Sequence, residues 1–149
     1  MIERCTSPNH PGWLQLRIAL WPHHTAEALL REMAQLHEEP SRYAQFISSS
    51  PSGTPQGFVE VAVRSDYVNG TKSSPVAFLE GVYVAPSFRG QGVARALIAT
   101  AEKWAVSVGC AEFASDALLA NTASHAMHLA LGFQETQRVV FFRKSLRAE

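Results

Sequence analysis

The segment with the clearest chemical pattern is Arg89-Gly90-Gln91-Gly92-Val93-Ala94, which joins an apolar run to a helix-like stretch. Backbone N–H groups in the first turn of a helix lack partners within the helix, and together with the helix dipole they attract anions. Arg89 adds a fixed charge and a fork of donors that suits a pyrophosphate. Gly90 and Gly92 let a ligand approach the backbone. We expect a pyrophosphate site here; the alternative is an ordinary helix entry with incidental glycines.

Two other phosphate-binding motifs do not fit this turn. It lacks the Lys-Ser/Thr pair of a Walker motif, and its glycines do not follow the G-x-G-x-x-G spacing. Nucleotide hydrolysis and Rossmann-type dinucleotide binding are therefore disfavoured.

Two carboxylates are associated with apolar strands: Glu80 lies within one, and Asp116 follows another. Glu80 is the lone acid in the run Val76 to Val84, where burial without a partner is costly, so we expect it to face a cavity, a cation or water. The alternative is a side chain that reaches solvent past a strand end. Asp116 follows an apolar strand at its carboxyl end, where α/β sheets commonly place ligand-binding groups. An equally ordinary role for Asp116 is to cap the next turn.

The elements that must position these groups follow from hydrophobic periodicity. Apolar residues recur every three or four positions through 92–108, which predicts the clearest helix. The run 76–85 is nearly continuously apolar, as expected of a central strand covered on both faces. In strand 56–64, residues alternate as if its two faces differ in burial. Further helices are expected between 9 and 22, between 25 and 40 and at 121–131, and further strands at 2–5, 43–48, 110–115, 132–136 and 138–144. This order predicts an α/β fold around a mixed sheet.

Composition bounds the class of protein. The 149 residues suit one domain over 1–149, and 46% hydrophobic with 17% charged residues is ordinary for a globular chain. Because 13 Lys and Arg balance 13 Asp and Glu, no net field exists to attract nucleic acid or a membrane surface. No window is apolar enough to span a membrane.

Cys5 and Cys110 suggest neither a disulfide framework nor a zinc site, and His125 with His128 lacks a third metal ligand. We expect no metal and a cytoplasmic location.

The turn at 89–94 matches the Arg/Gln-x-x-Gly-x-Gly/Ala signature, so the chain resembles the GCN5-related N-acetyltransferase (GNAT) superfamily. A helix that Asn121 opens and that closes at Leu131-Gly132-Phe133 resembles the family's second motif. The resemblance implies a central, mostly antiparallel mixed sheet flanked by about four helices, and acetyl-CoA as co-substrate. It implies that the strand pairs with the pantetheine arm, that the loop holds the pyrophosphate and that a later helix start contacts the cofactor. The implied cofactor-binding residues are Val82, Tyr83, Val84, Arg89, Gly90, Gln91, Gly92, Val93, Ala94 and Asn121.

Five separated segments also resemble bacterial aminoglycoside 6'-N-acetyltransferases, which confer antibiotic resistance. These segments are Leu20-Trp21-Pro22, Asp66 to Gly70, Phe78 to Gly81, Ala114-Ser115-Asp116 and Asn121-Thr122. The resemblance implies that Trp21, Tyr67, Glu80 and Asp116 line the antibiotic site. A polycationic substrate independently requires carboxylates and aromatic faces. This chain has Gln134 and Gln137 where such enzymes tend to have acids, so Gln137 would accept a hydrogen bond without charge assistance.

We expect a direct attack of a neutral amine on the thioester, with Glu80 and Asp116 as the catalytic carboxylates. Glu80, directly or through water, or Asp116 would accept the proton of the ammonium or only lower the pKa penalty of binding it. A proton for the departing thiolate would come from His128 or from no side chain. Cys110 is disfavoured as a nucleophile because no His or Asn pattern surrounds it and its position suggests burial. The alternatives are an acetyltransferase for a polyamine or a protein N-terminus, and a CoA-binding module without catalysis. The family often dimerises, which implies a homodimer.

Overall fold

The computed structural model describes residues 1–147, which divide into two compact units, Met1–Asp116 and a unit that begins at Ala117. The expectation of a single domain stays a prediction. No helix within residues 1–147 is long and apolar enough to cross a membrane. The helices are α1 (Trp13–Leu20), α2 (Ala26–His37), α3 (Val93–Ser107) and α4 (Thr122–Ala130), and the strands are β1 (Ile2–Arg4), β2 (Tyr43–Ser49), β3 (Pro55–Arg64), β4 (Val76–Val84) and β5 (Phe113–Ala114). All four predicted helices are confirmed.

The first unit contains one sheet in the order β1-β2-β3-β4-β5. The first three pairings are antiparallel, whereas β5 runs parallel to β4 and pairs only through Ala77↔Phe113 and Phe78↔Ala114. The predicted mixed, mostly antiparallel sheet is confirmed. The expected strand over 110–115 is shorter, because the backbone N–H of Cys110 still bonds to the carbonyl of Ala105 at the end of α3 (3.0 Å).

The core lies against the middle of the sheet. Residues 57–62 of β3 are all buried, so both faces of this strand are covered, and the expected difference in burial between its faces is wrong. From α1, Trp13 packs with Met33 and Phe58, while α3 buries Leu97 with the rest of its apolar stripe. The long strand β4 is buried only as far as Leu79; its second half is partly exposed, so the expected cover on both faces fails there.

A buried ion pair fastens α1 to the sheet. Arg17 Nε and Nη2 donate to the two carboxylate oxygens of Glu60 at 2.7 and 3.1 Å, and Trp13 Nε1 donates to Glu60 at 2.9 Å. The Arg17 guanidinium also donates to the carbonyl of Leu29, the first buried residue of α2, at 3.1 Å. Removing one member of such a pair leaves an uncompensated charge and typically costs about 3–5 kcal/mol. The pair therefore fixes both helices relative to β3.

In the second unit α4 is followed by residues 131–147, the last described part of the chain, which form neither helix nor strand. Asn121 caps α4, because its side-chain oxygen accepts from the Ser124 N–H at 3.1 Å. The strands predicted at 132–136 and 138–144 are absent from the described residues. A strand needs a neighbouring backbone as well as an apolar sequence, and the described part of the second unit contains no strand of its own that could pair with this segment. Its largest side chains, Phe141 and Phe142, are 85% and 92% exposed.

Candidate active site

A cleft of about 610 Å³ opens beside the end of α1, next to α2, β3 and β4. Five glutamates line it, against a single arginine, Arg17, that is itself ion-paired with two of them, Glu60 at 2.7 Å and Glu32 at 3.6 Å. Aromatic and apolar side chains supply the remaining walls. An acidic cleft with aromatic walls favours a ligand that carries several ammonium groups over an anionic ligand. The lining residues are Arg17, Trp21, His24, Glu32, Gln35, Leu36, Glu38, Glu39, Tyr43, Glu60 and Glu80.

A bulge in β4 directs Glu80 toward this cleft. Glu60 of β3 pairs with Gly81 and the next residue, Val61, pairs with Leu79, so Glu80 is the extra residue of the ladder. Its carboxylate accepts a hydrogen bond from Arg64 Nη2 at 2.8 Å, and both side chains remain partly exposed. Glu80, the lone acid of the apolar run, is thus ion-paired with Arg64 and also lines the cleft.

Trp21 lies directly against the bulge. It is the residue that ends α1, and its N–H bonds to the carbonyl of Arg17 at 2.9 Å. A Cβ atom added at Gly81 would lie 2.8 Å from Trp21 Cζ2, so only glycine lets the indole approach the strand this closely. Trp21 and Glu80 are the two sequence-predicted substrate residues that the structure brings together in the cleft.

Asp116 and Glu80 leave the sheet at the same end. Asp116 follows Ala114 by two residues, just as Glu80 follows Phe78, and Phe78 and Ala114 are direct partners in the parallel ladder. Asp116 is exposed and is not among the cleft-lining residues. The predicted antibiotic contact Tyr67 is 75% exposed and also lies outside the cleft lining, beside a buried Val68.

Three further predicted residues belong to the second unit. The Asn121 side chain is engaged in capping α4, and Gln137, like its neighbour Gln134, is exposed in the segment that follows. His128 Nδ1 lies 2.7 Å from the carbonyl oxygen of Ser124, and since a carbonyl only accepts, Nδ1 carries the proton. The structure therefore describes local roles for these residues, and their contacts with substrates stay predictions.

The second half of β4 offers an unpaired edge. Within the described residues, the β5 ladder ends at Phe78, and no strand pairs with 79–84 on that side. On the other side Val82, Tyr83 and Val84 pair regularly with β3. Backbone groups on the open side are available to an extended ligand with amide groups, which could add to the sheet as a strand does.

The predicted anion site follows this edge directly. Gly90 and Gly92 have φ values of +76° and +81°, in the left-handed region that glycine tolerates best. Gly92 begins α3, so no side chain caps the helix at this position and the helix start stays open to a ligand. Arg89 Nε donates to the carbonyl of Val84 at 2.7 Å, which anchors the guanidinium at the end of β4. Its neighbour Gln91 donates to the carbonyl of Ser87 at 3.4 Å.

Neither cysteine is placed to act as a nucleophile. Cys5 and Cys110 are both buried. Burial, with a smaller effect of the Glu60 charge, raises the pKa of Cys5 to about 12, and burial raises the pKa of Cys110 as well. Among residues 1–147, no group of three or more His, Cys, Asp or Glu side chains could hold a metal ion.

The sequence did not predict the ion pair at the base of the cleft or the three glutamates at the C-terminal half of α2 and just after it. The signal for the first was present, because Trp13, Arg17 and Trp21 recur at intervals of four and share one helix face. Glu60, likewise, interrupts a valine-rich strand. Glu32 on α2 and Glu38 and Glu39 just after it carry no local sequence signal of this kind, and only the fold shows that they line a cavity.

Comparisons with known proteins agree with this geometry. Residues 10–133 match the model of the acetyltransferase (GNAT) family. An aminoglycoside N(6')-acetyltransferase type 1 from Serratia marcescens is 49% identical over 98% of this chain and 99% of its own length, and one from Acinetobacter baumannii is 48% identical over 90% of each.

Solved structures extend the comparison to the fold. The structure of AAC(6')-Iy in complex with a bisubstrate analogue, CoA-S-monomethyl-acetylneamine, has a TM-score of 0.89 at 44% identity over 97% of each chain. Apo AAC(6')-IG from Acinetobacter haemolyticus has a TM-score of 0.91 at 45% identity over 99% of each chain. The chain belongs to the GNAT family of acetyltransferases.

Proposed function

We propose that this protein is an aminoglycoside 6'-N-acetyltransferase, which transfers the acetyl group of acetyl-CoA to the 6'-amino group of aminoglycoside antibiotics and so confers resistance. The observation that carries the proposal is the adjacency of the glutamate-lined cleft and the β4 bulge, where Glu80 stands beside the open strand edge. The relatives with this name cover nearly the whole chain at almost half identity, and a structural relative was solved with a bisubstrate analogue of these two substrates.

The open edge of β4 and the turn after it form the acetyl-CoA half of the site. The amide groups of a pantetheine arm match the side of strand 82–84 that faces away from β3, and the helix start at 92–94 with Arg89 matches the pyrophosphate. The bulge at Glu80 comes just before residues 82–84 on the same strand. A thioester at the end of the pantetheine arm would therefore lie beside Glu80. A backbone N–H near 82–84 stabilises the oxyanion that forms as the amine attacks.

The glutamate-lined cleft is the acceptor half. Its carboxylates attract the ammonium groups, and the Trp21 face packs against a sugar ring. The 6'-ammonium loses a proton to Glu80, directly or through water, and the neutral amine attacks the thioester carbonyl. The C–N bond forms and the C–S bond breaks; the nitrogen then loses a second proton and the departing thiolate gains one, so that CoA leaves as the thiol. Holding both substrates in line supplies much of the rate. Asp116, at the same end of the sheet, is the second carboxylate of this proposal.

We propose further that the protein acts as a homodimer in the bacterial cytoplasm. The exposed apolar segment Val139 to Phe142 supports a partner, since a monomer rarely leaves consecutive large apolar side chains in water. The relatives come from bacteria, which supports a bacterial location.

The reaction is tested by thiol release on mixing the protein with acetyl-CoA and a panel of amines that contains kanamycin, tobramycin, spermidine and a peptide N-terminus. We expect release with the two antibiotics at far lower concentrations than with the others. Preference for spermidine or the peptide would indicate an acetyltransferase for another amine, and no release with any amine would indicate a CoA-binding module.

A further inference from the structure

The Arg17 guanidinium contacts Trp21 as well as Glu60. Its Cζ lies 4.8 Å from the centre of the Trp21 ring. The bonds of Nε and Nη2 to Glu60 and of Nη1 to the carbonyl of Leu29 fix the plane of the guanidinium. Trp21 therefore packs against a group that cannot rotate without breaking buried, charge-assisted hydrogen bonds.

The other sides of the indole are also defined. Phe58 meets it edge-on, with ring centres 6.0 Å apart and an interplanar angle of 73°. The backbone at Gly81 lies close enough that an added Cβ would clash with the six-membered ring. Arg17, Phe58 and Gly81 together restrict the orientation of the indole, which lines the cleft with Glu80.

Stability alone does not account for this ion pair. Apolar residues of similar volume often replace a buried pair without loss of stability, because desolvation offsets the attraction. Arg17 and Glu60 are 3% and 4% exposed. What the pair provides that apolar residues do not is a fixed planar cation against the indole. Since Glu60 compensates its charge, Arg17 does not repel a cationic ligand from the cleft.

We infer that Arg17, held by Glu60, is a positioning residue for acceptor binding and acts by fixing the orientation of Trp21. The inference rests on the proposed function, because it assigns Trp21 to the aminoglycoside half of the site. It predicts that loosening Arg17 weakens acceptor binding while acetyl-CoA binding at the β4 edge is unaffected.

The test compares Arg17→Lys with Trp13→Phe. Lysine keeps the charge but loses the planar fork that stacks on Trp21. Phenylalanine removes the bond from Trp13 to Glu60 and leaves the Arg17 contact with Trp21 in place. We expect Arg17→Lys to raise KM for tobramycin by roughly five- to tenfold, with kcat and KM for acetyl-CoA within about twofold of wild type. Trp13→Phe should lower the melting temperature and leave kcat, KM for tobramycin and KM for acetyl-CoA nearly unchanged.

A double-mutant cycle tests whether Arg17 acts through Trp21. In a Trp21→Phe background, Arg17→Lys should add little to KM for tobramycin. If Arg17→Lys does not fold, the apolar variant Trp13→Phe/Arg17→Met/Glu60→Leu replaces it, with Trp13→Phe as its reference, and the same rise in KM is expected. An unchanged KM, or an equal effect of Arg17→Lys in both backgrounds, overturns the inference. Absence of turnover in the wild-type protein would instead contradict the proposed function.

Discussion

Arg64 and Glu80 form an ion pair across β3 and β4, with Nη2 and Oε1 2.8 Å apart, and the Arg64 guanidinium also lies 3.6 Å over the ring of Phe78. The carboxylate proposed to receive the reacting amine is therefore already bonded to a cation in the free protein. Because both side chains are more than a third exposed, this pair is weak and screened by solvent. A substrate ammonium can share or replace the Arg64 contact at little cost.

Glu80→Gln should reduce kcat for tobramycin by about 100-fold or more, because the amide cannot accept the proton of the attacking ammonium. Asp116→Asn should also reduce turnover, by a smaller factor, since Asp116 lies outside the cleft lining. Steady-state kinetics with acetyl-CoA titration provides the measurement, and affinity for acetyl-CoA should not change. Glu102→Gln, an exposed acid on α3, is the matched charge control. Full activity of both site variants would remove these carboxylates from the mechanism.

Arg89→Gln should raise KM for acetyl-CoA by roughly tenfold, because a charge-assisted contact to the pyrophosphate and the anchor to the Val84 carbonyl are both lost. KM for the aminoglycoside should stay within about twofold of wild type. Lys103→Gln removes a positive charge about 15 Å from the start of α3 at Val93 and serves as the control. An equal effect of the two substitutions would show that general charge, and not the turn, governs cofactor binding.

The buried Cys5 thiol should make the folded state less stable at alkaline pH. Its pKa is 9.0 ordinarily and about 12 in the fold, so the folded state holds the proton more tightly. The stability associated with the neutral thiol is fully present below pH 9 and is lost as pH rises toward 12, at up to about 1.4 kcal/mol per pH unit. Urea unfolding at several values from pH 8 to pH 10.5 should show a steeper loss for wild type than for Cys5→Ala. Parallel curves would show that Cys5 does not contribute.

The proposed homodimer should depend on the apolar segment Val139 to Phe142. Sedimentation at micromolar concentration should give the mass of two copies for wild type and of one copy for Phe141→Ser/Phe142→Ser, because the substitution removes the apolar area that a partner would cover. Val106→Ser changes another exposed apolar side chain, on α3, and should leave the dimer intact. A monomeric wild type, or a dimeric double variant, would contradict the proposal.

Local sequence patterns predicted the helices and the central strands because their periodicities are strong and their ends carry clear signals. The helix 93–107 has an uninterrupted apolar stripe, and glycine begins it and follows it. The last two strands could not be predicted correctly, since an apolar run such as 138–144 becomes a strand only where another backbone pairs with it. The motif at 89–94 likewise predicted a glycine turn that opens a helix, and Gly90 and Gly92 have positive φ there; that the turn binds an anion stays a prediction.

The candidate site was predictable only in part, for a physical reason. Glu80 and Trp21 were identified because each breaks a local pattern or matches a motif. The bulge that turns Glu80 outward depends on the pairing of β4 with β3, which the residues of β4 alone do not specify. The contact of Arg17 with Glu60 joins positions 43 residues apart, and nothing local relates them.

The central claim is regiospecific acetylation of the 6'-amine, and paired antibiotics test it most directly. Neomycin and paromomycin differ at the 6' position, which carries an amine in the first and a hydroxyl in the second. The measurement is thiol release from acetyl-CoA by the wild-type protein with each antibiotic, with mass spectrometry of the product. We expect kcat/KM for neomycin to exceed that for paromomycin by at least about 100-fold, because the hydroxyl is a far weaker nucleophile. Equal rates with the two antibiotics would contradict the claim.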